Sequence, residues 1–486
     1  MIFTFHVYTY FEEKSPDMTE TDLCYLSALQ LRDLYQTGEV SPVEVTEAVL
    51  RRMDQLNPKL NAFITTTPEL ALEGARRAEQ AYHTDESPPP LAGIPTSIKD
   101  LVAMTGIRTT RGSLRYKDSV SDFDAPIIER FHEAGAVLLG KTNMPEFGWK
   151  GDSTNRIIGS THNPWKHGRT AGGSSGGGTA ALAAGLGPLA QGSDGAGSVR
   201  IPASFCGIYG LKPSWGIIPQ YPPSAVELLS HIGPMTRTVA DAALMLNVMA
   251  GADPRDRLSI STDTDYLTAL EGDIAGLRVA WSPDLGYALV DPEVRKIVTK
   301  AALRFEELGC HVEEAHPGLE DPWEDIVHII WGSTFAGLHL HNLDEVRNQI
   351  DPGLVRVIEQ GFQLSGAEVA IAYAKRNDYY DAWRQFMEQY DLLLTPALPV
   401  TAFPAGDDHP GQIDGQPTGY LSWTAFTYPF NITGQPAASV PCGFASDGLP
   451  VGLQIVGRWR DDITVLRASA AFEALAPWAD KRPPLN

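Results

Sequence analysis

Between positions 171 and 210 the chain reads AGGSSGGGTAALAAGLGPLAQGSDGAGSVRIPASFCGIYG, a stretch built almost wholly from glycine, alanine, serine and small apolar residues. So many residues without bulk allow backbone to lie directly against backbone. A flexible linker is a poor reading, because the glycines abut the apolar run TAALAAGLGPLAQG instead of polar filler. A phosphate cradle is also poor. GxxxxGK[ST] is absent, and no GxGxxG follows a clear strand. A tight backbone around a reacting atom explains more. In GAGS at 195–198, successive N–H groups with little side-chain bulk can converge on one oxygen, as an oxyanion hole requires. Ser198 stands at its end, where a nucleophile would create that oxyanion.

A serine nucleophile needs a base. Lys99 lies in TSIKDL between apolar Ile98 and Leu101 at one remove. Desolvation there would lower its pKa and leave a neutral amine able to take a proton. Lysine is ordinarily a solvated surface charge, so this role depends on burial that spacing alone does not establish.

The rest of the 486 residues reads as one α/β unit. Helical spacing covers 26–36. Ser41, Pro42 and Glu44 form an N-cap, a first-turn proline and a capping box for a helix with Val45, Val49, Met53 and Leu56 on one face. A third helix is expected over about 68–83, a turn over 87–90, and a buried strand in LAGIPTSIKDLVA. Asp124 and Pro126 open a helix that stops at Gly135, and AVLLGKTN follows as a strand. Helices are expected over 235–251, 292–309 and much of 320–390. Strands are expected in GLRVAWSPD, LLLTPALP and PAASVPCGF. No fixed-period repeat or Pro/Ser-rich linker divides the chain.

With 38 Lys and Arg against 60 Asp and Glu, the net charge is −22. This argues against a nucleic-acid or anionic-membrane partner. No run of 18 apolar residues is present to span a bilayer. Cys24, Cys206, Cys310 and Cys442 are far apart with no CxxC pair, as expected of reduced thiols in a cytoplasmic protein. The N-terminal MIFTFHVYTYFEEKSPDM lacks the basic start of a secretory signal. Residues 1–17 are read as an extension and 18–486 as the domain.

The block AGGSSGGGTAALAAGLGPLAQGSDGAGSVRIPASFCGIYGLKPS resembles the signature of the amidase signature family nearly end to end. Lys99 precedes Ser174 by 75 positions and Ser198 follows it by 24, intervals also found in that family. The likeness extends to the helices from about 26, to GAVLLGKTNMPEF and to PFNITGQPAASVPCGF with GLPVGLQIVG. It is weakest over about 285–390, taken as a variable helical region. The resemblance implies a single large α/β domain, with a mixed central sheet flanked by helices on both faces. It also implies a Ser–cisSer–Lys triad without cofactor or metal. Ser198 would be the nucleophile, Ser174 the bridging serine after a cis bond from Gly173, and Lys99 the base. The N–H groups of Gly195, Ala196, Gly197 and Ser198 would form the oxyanion hole; Ala196 stands where many relatives carry glycine. Ser175, Asp194 and Arg200 would support the triad, with an Asp194–Arg200 interaction among the options.

Three other readings stand beside this one. One branch of the family supplies the glutaminase component of tRNA-dependent amidotransferases and hydrolyses glutamine within a complex. Its acidic residue, seven positions before the Asn corresponding to Asn431, is replaced here by Thr424. His339 and His341 would face one side of a strand and could ligate zinc, though the segment looks at least as helical. A non-enzymatic binding module would need a degenerate triad. The expected substrate pocket includes Phe147, Trp149, Trp423, Phe426 and Phe430, unless these are core aromatics. Such a lining suits small hydrophobic or aryl amides, with esters and carbamates as further substrates. A small-molecule amide is thus the expected partner, and a homodimer is compatible with the sequence.

Overall fold

The computed structural model describes residues 19–84 and 87–485; the N-terminal extension expected over 1–17 lies outside them. Eleven strands form one sheet: β1 Phe63–Thr66, β2 Pro95–Lys99, β3 Val137–Thr142, β4 Leu189–Asp194, β5 Tyr209–Lys212, β6 His231–Thr236, β7 Arg278–Trp281, β8 His311–Glu314, β9 Leu392–Pro396, β10 Ala437–Phe444 and β11 Pro450–Gly457. Their order is β1-β3-β2-β4-β6-β5-β10-β11-β9-β7-β8. β2 runs parallel to both β3 and β4, and β7 runs parallel to β8 and β9. The remaining neighbours are antiparallel, so the sheet is mixed. β2, β3 and β4 are buried at every residue. A strand with no exposed alternate positions must be covered on both faces, which is how helices flank this sheet. The edge strand β8 carries His311, Glu313 and Glu314 outward, charges that discourage pairing with another chain.

Local signals explain most elements. Ser27 caps Ala28–Thr37 with a full capping box. Ser41 caps Pro42–Leu60 through the Glu44 N–H, but no reciprocal bond from the Glu44 carboxylate is present. The helix expected over 235–251 is observed as Val239–Met249. Met235 and Thr236 belong to β6, because Thr238 caps the helix three residues later than the apolar pattern implied. Residues 323–387 form a helical layer ending in the long helix Gly366–Met387. His339 ends the helix His328–His339, so it and His341 do not share a strand face. Among the described residues, no three His, Cys, Asp or Glu gather where a metal could be held, and no helix is long and apolar enough to cross a membrane.

The Gly/Ser block occupies the centre. It runs through the helix Gly176–Ala183, then β4, then the helix Arg200–Cys206. A methyl at Gly177 would lie 2.4 Å from both Ala62 O and Asn143 N, so this helix can reach its seat only with glycine there. Gly197 adopts φ 126° and a methyl on it would collide with Thr427 Oγ1.

Candidate active site

Three elements end at one point. Lys99 is the last residue of β2, and β4 runs parallel beside it, bringing Ser193 to the same end of the sheet. Ser174 and Ser175 stand at the start of the helix Gly176–Ala183. Crevices at the carboxyl ends of parallel strands are where α/β folds place their chemistry. The peptide bond between Gly173 and Ser174 is cis.

The Lys99 side chain is fully buried, and its Nζ lies 2.7 Å from Ser174 Oγ, 2.9 Å from Ser175 Oγ and 2.9 Å from Ser193 Oγ. Among the described residues, no carboxylate touches it. Burial pushes the amine down to about 7, against the upward pull of the Asp194 charge. The helix N-terminus beside it also disfavours a cation. The hydrogen bonds assign the protons. Ser175 Oγ–H donates to the Ser193 carbonyl at 3.2 Å, so Ser175 Oγ must accept from Lys99. A neutral amine has two N–H groups and one lone pair. One N–H goes to Ser175, and the lone pair is left to meet the hydroxyl proton of Ser174 or Ser193. The Gln191 side chain accepts from the Lys99 backbone N–H at 3.2 Å, fixing the strand end.

Asp194 shapes the loop that follows. Its Oδ1 accepts from Gly197 N at 2.7 Å and its Oδ2 from Val199 N at 3.1 Å. Arg200 grips both oxygens, Nη2 to Oδ1 at 2.9 Å and Nε to Oδ2 at 3.0 Å, with both side chains wholly buried. Burial alone would raise the Asp194 pKa; the guanidinium overrides it and holds the carboxyl well below the usual range. Arg200 is saturated by Thr427 O, Gln454 Oε1 and Asn431 Oδ1. Asn431 also donates to Asp194. Because Gly197 N–H is spent on Asp194, it is not one of the free donors expected of it. Among the described residues, the N–H groups of Gly195, Ala196 and Ser198 have no protein acceptor. Ser198 is 8% exposed, and its hydroxyl has no hydrogen-bond partner among the described residues.

The expected aromatic pocket is distributed differently. Trp149, Trp423, Phe426 and Phe430 are enclosed in the core. Trp423 stacks on Phe205, Phe430 meets Trp383 at 5.0 Å between centroids, and Trp149 stacks on Tyr420. Between Phe426 and Phe430, Thr427 donates to Ala196 O at 2.7 Å and so ties this buried segment to the 195–200 loop. Phe147 alone keeps partial exposure, next to Tyr116 and His339. It adjoins Gly148, where a methyl would meet Ser174 Oγ at 3.0 Å. Sequence reasoning missed Ser193 and Gln191, although alternation along a strand puts both on one face of β4. Nothing local marks Trp331, whose ring stands 3.2 Å from where a methyl on Gly195 would be.

A model of the Amidase family matches residues 44–466. The chain is 45% identical over 471 residues to an acylamidase of Rhodococcus erythropolis, covering 96% of this chain and 98% of that protein. It is 38% identical over 495 residues to a component of the glutamyl-tRNA(Gln) amidotransferase of Moorella thermoacetica, covering 96% and 99%. It superimposes on the crystal structure of a bacterial aryl acylamidase of the amidase signature enzymes with a TM-score of 0.87 and 34% identity, covering 94% and 97%. With likeness of sequence and fold running almost from end to end, the chain belongs to the amidase signature family.

Proposed function

We propose that this amidase hydrolyses the C–N bond of small hydrophobic or aryl carboxylic amides through an acyl-enzyme on Ser198. The observation that carries this reading is the wholly buried Lys99 amine at 2.7 Å from Ser174 Oγ, with no ion pair to a carboxylate among the described residues. Ser174 gives its proton to Lys99 and takes that of Ser198, whose backbone carbonyl accepts from Ser175 N at 3.2 Å beside it. Ser198 Oγ attacks the carbonyl carbon. The developing oxyanion is met by the N–H groups of Gly195, Ala196 and Ser198, each donor being worth about 3–4 kcal/mol. The Asp194–Arg200 pair and Gly197 hold that loop in shape. The proton returns from Lys99 through Ser174 to the leaving nitrogen. The amine departs, and water deprotonated along the same path hydrolyses the ester. Esters and carbamates present the same carbonyl and are expected substrates.

Thr424 favours this reading over glutamine hydrolysis. It is buried and its hydroxyl donates to Leu421 O at 2.7 Å, so it offers no carboxylate to a substrate amino group. All four cysteines are unpaired, which suits a reducing cytoplasmic setting. The test is a fluorophosphonate label followed by peptide mass mapping, together with a panel of anilides, aryl amides, esters, carbamates and glutamine. Label on Ser198 with anilide hydrolysis is the expected result. Label elsewhere, or turnover of glutamine alone, refutes the reading.

A further inference from the structure

The helix His328–His339 packs beside the site with Trp331 and His339 both buried, and its two ends meet different parts of the machinery. Near its start, Trp331 lies against the oxyanion loop: a methyl on Gly195 would meet Trp331 Cζ3 at 3.2 Å, Cη2 at 3.4 Å and Val226 Cγ2 at 3.6 Å. Eight residues later, roughly 12 Å along the helix axis, His339 lies against Phe147. Phe147 adjoins Gly148, which abuts Ser174. The indole is not free to swing. Its Nε1 donates to Tyr420 OH at 3.0 Å, Tyr420 in turn donates to Trp149 O, and Phe335 packs edge-on at 5.5 Å between centroids.

Resting on the serine mechanism proposed above, the reaction orients the substrate between these ends. The leaving nitrogen must face Ser174, which returns its proton, and so lies on the Phe147–His339 side. The carbonyl oxygen lies at the N–H groups of 195–198. The acyl substituent is left on the remaining side, where Trp331 and Val226 border Gly195. We infer that Trp331 is the specificity-determining wall of the acyl subsite, a rigid flat aromatic face that selects planar aromatic acyl groups over aliphatic ones. Tyr420 is its positioning residue, locking the ring angle. An aromatic face prefers another ring to an alkyl chain by about 3- to 10-fold in binding.

The test compares two series of p-nitroanilides and acetanilides. In the first the acyl group runs from acetyl and butyryl to benzoyl with p-nitroaniline fixed. In the second the acetyl group is fixed and the aniline varies. In Trp331→Ala the benzoyl-to-acetyl ratio of kcat/KM is expected to fall by about 3- to 10-fold, while the ratios of the aniline series hold. Trp331→Phe, which keeps ring and packing, retains most of the acyl ratio. Tyr420→Phe lowers it without changing the aniline series. Fluorophosphonate labelling of Ser198 is measured in every variant. An unchanged acyl ratio in labelled, active Trp331→Ala, or a shift confined to the aniline series, overturns the Trp331 assignment while leaving Ser198 in place. A folded wild-type chain that neither labels nor hydrolyses overturns both.

Discussion

Replacing Lys99 by Met removes a titrating group from the centre of the fold while nearly keeping its volume. The amine titrates near 7 in the folded chain against 10.5 for the ordinary side chain. Between those values the unfolded chain binds a proton that the folded chain does not. Wild-type stability therefore gains from each rise in pH across the window, by about 1.4 kcal/mol per pH unit. Below about 7 both states carry the proton, and the full penalty of about 5 kcal/mol is present. Above 10.5 neither does, and the penalty is gone. Lys99→Met has no such dependence. It does lose hydrogen bonds to Ser174, Ser175 and Ser193, but that loss is a constant offset. The difference in unfolding free energy, variant minus wild type, should thus fall steadily from about pH 7 to about pH 9.5, by about 3 kcal/mol. Urea unfolding at a series of pH values, with fluorescence as the probe, measures that slope directly. In parallel, wild-type kcat/KM should rise with pH with a midpoint near 7, because only the unprotonated amine accepts the Ser174 proton. A stability difference that is flat over this range, or an activity limb near the ordinary lysine value, refutes a depressed Lys99 and with it the relay.

Other perturbations separate the parts of the site. Asp194→Asn leaves the Arg200 cation buried without its counter-charge, and a loss of about 3–5 kcal/mol in urea unfolding is expected. Gly148→Ala strains a residue at φ 76° and presses a methyl on Ser174 Oγ, so kcat should fall by about 10²-fold with a small change in melting temperature. Ser198→Ala should abolish both turnover and fluorophosphonate labelling while leaving circular dichroism and the urea midpoint near wild type. EDTA dialysis should leave anilide hydrolysis unchanged, since the proposed proton path runs wholly through Lys99, Ser174 and Ser198; a loss restored by zinc would contradict it.

The chemistry was written locally. The run from Ala171 to Gly210 has so few bulky residues that only close backbone packing accounts for it, and its serines and glycines stand in the order in which the structure uses them. Helix caps such as Ser27 and Ser41, and strands such as Val137–Thr142, follow from signals within a few residues of each element. The neighbourhood of those elements was not written there. Ser193 meets Lys99 only because β4 pairs in parallel with β2, a register set between segments some ninety positions apart. Gly197 turned inward because the Asp194 carboxylate, held by Arg200, claimed its N–H. The aromatics misled for a related reason. A ring near a site in sequence gains most free energy wherever it is most enclosed, so Trp423 and Phe430 went to the core, while Trp331, in the least recognisable stretch of the chain, is buried against Gly195 of the 195–198 loop. Residue order dictates which groups are available and how each short element is capped; which of them share a water-free space is decided by how the sheet and its covering helices close, because burial is a property of the whole packing and no short segment contains it.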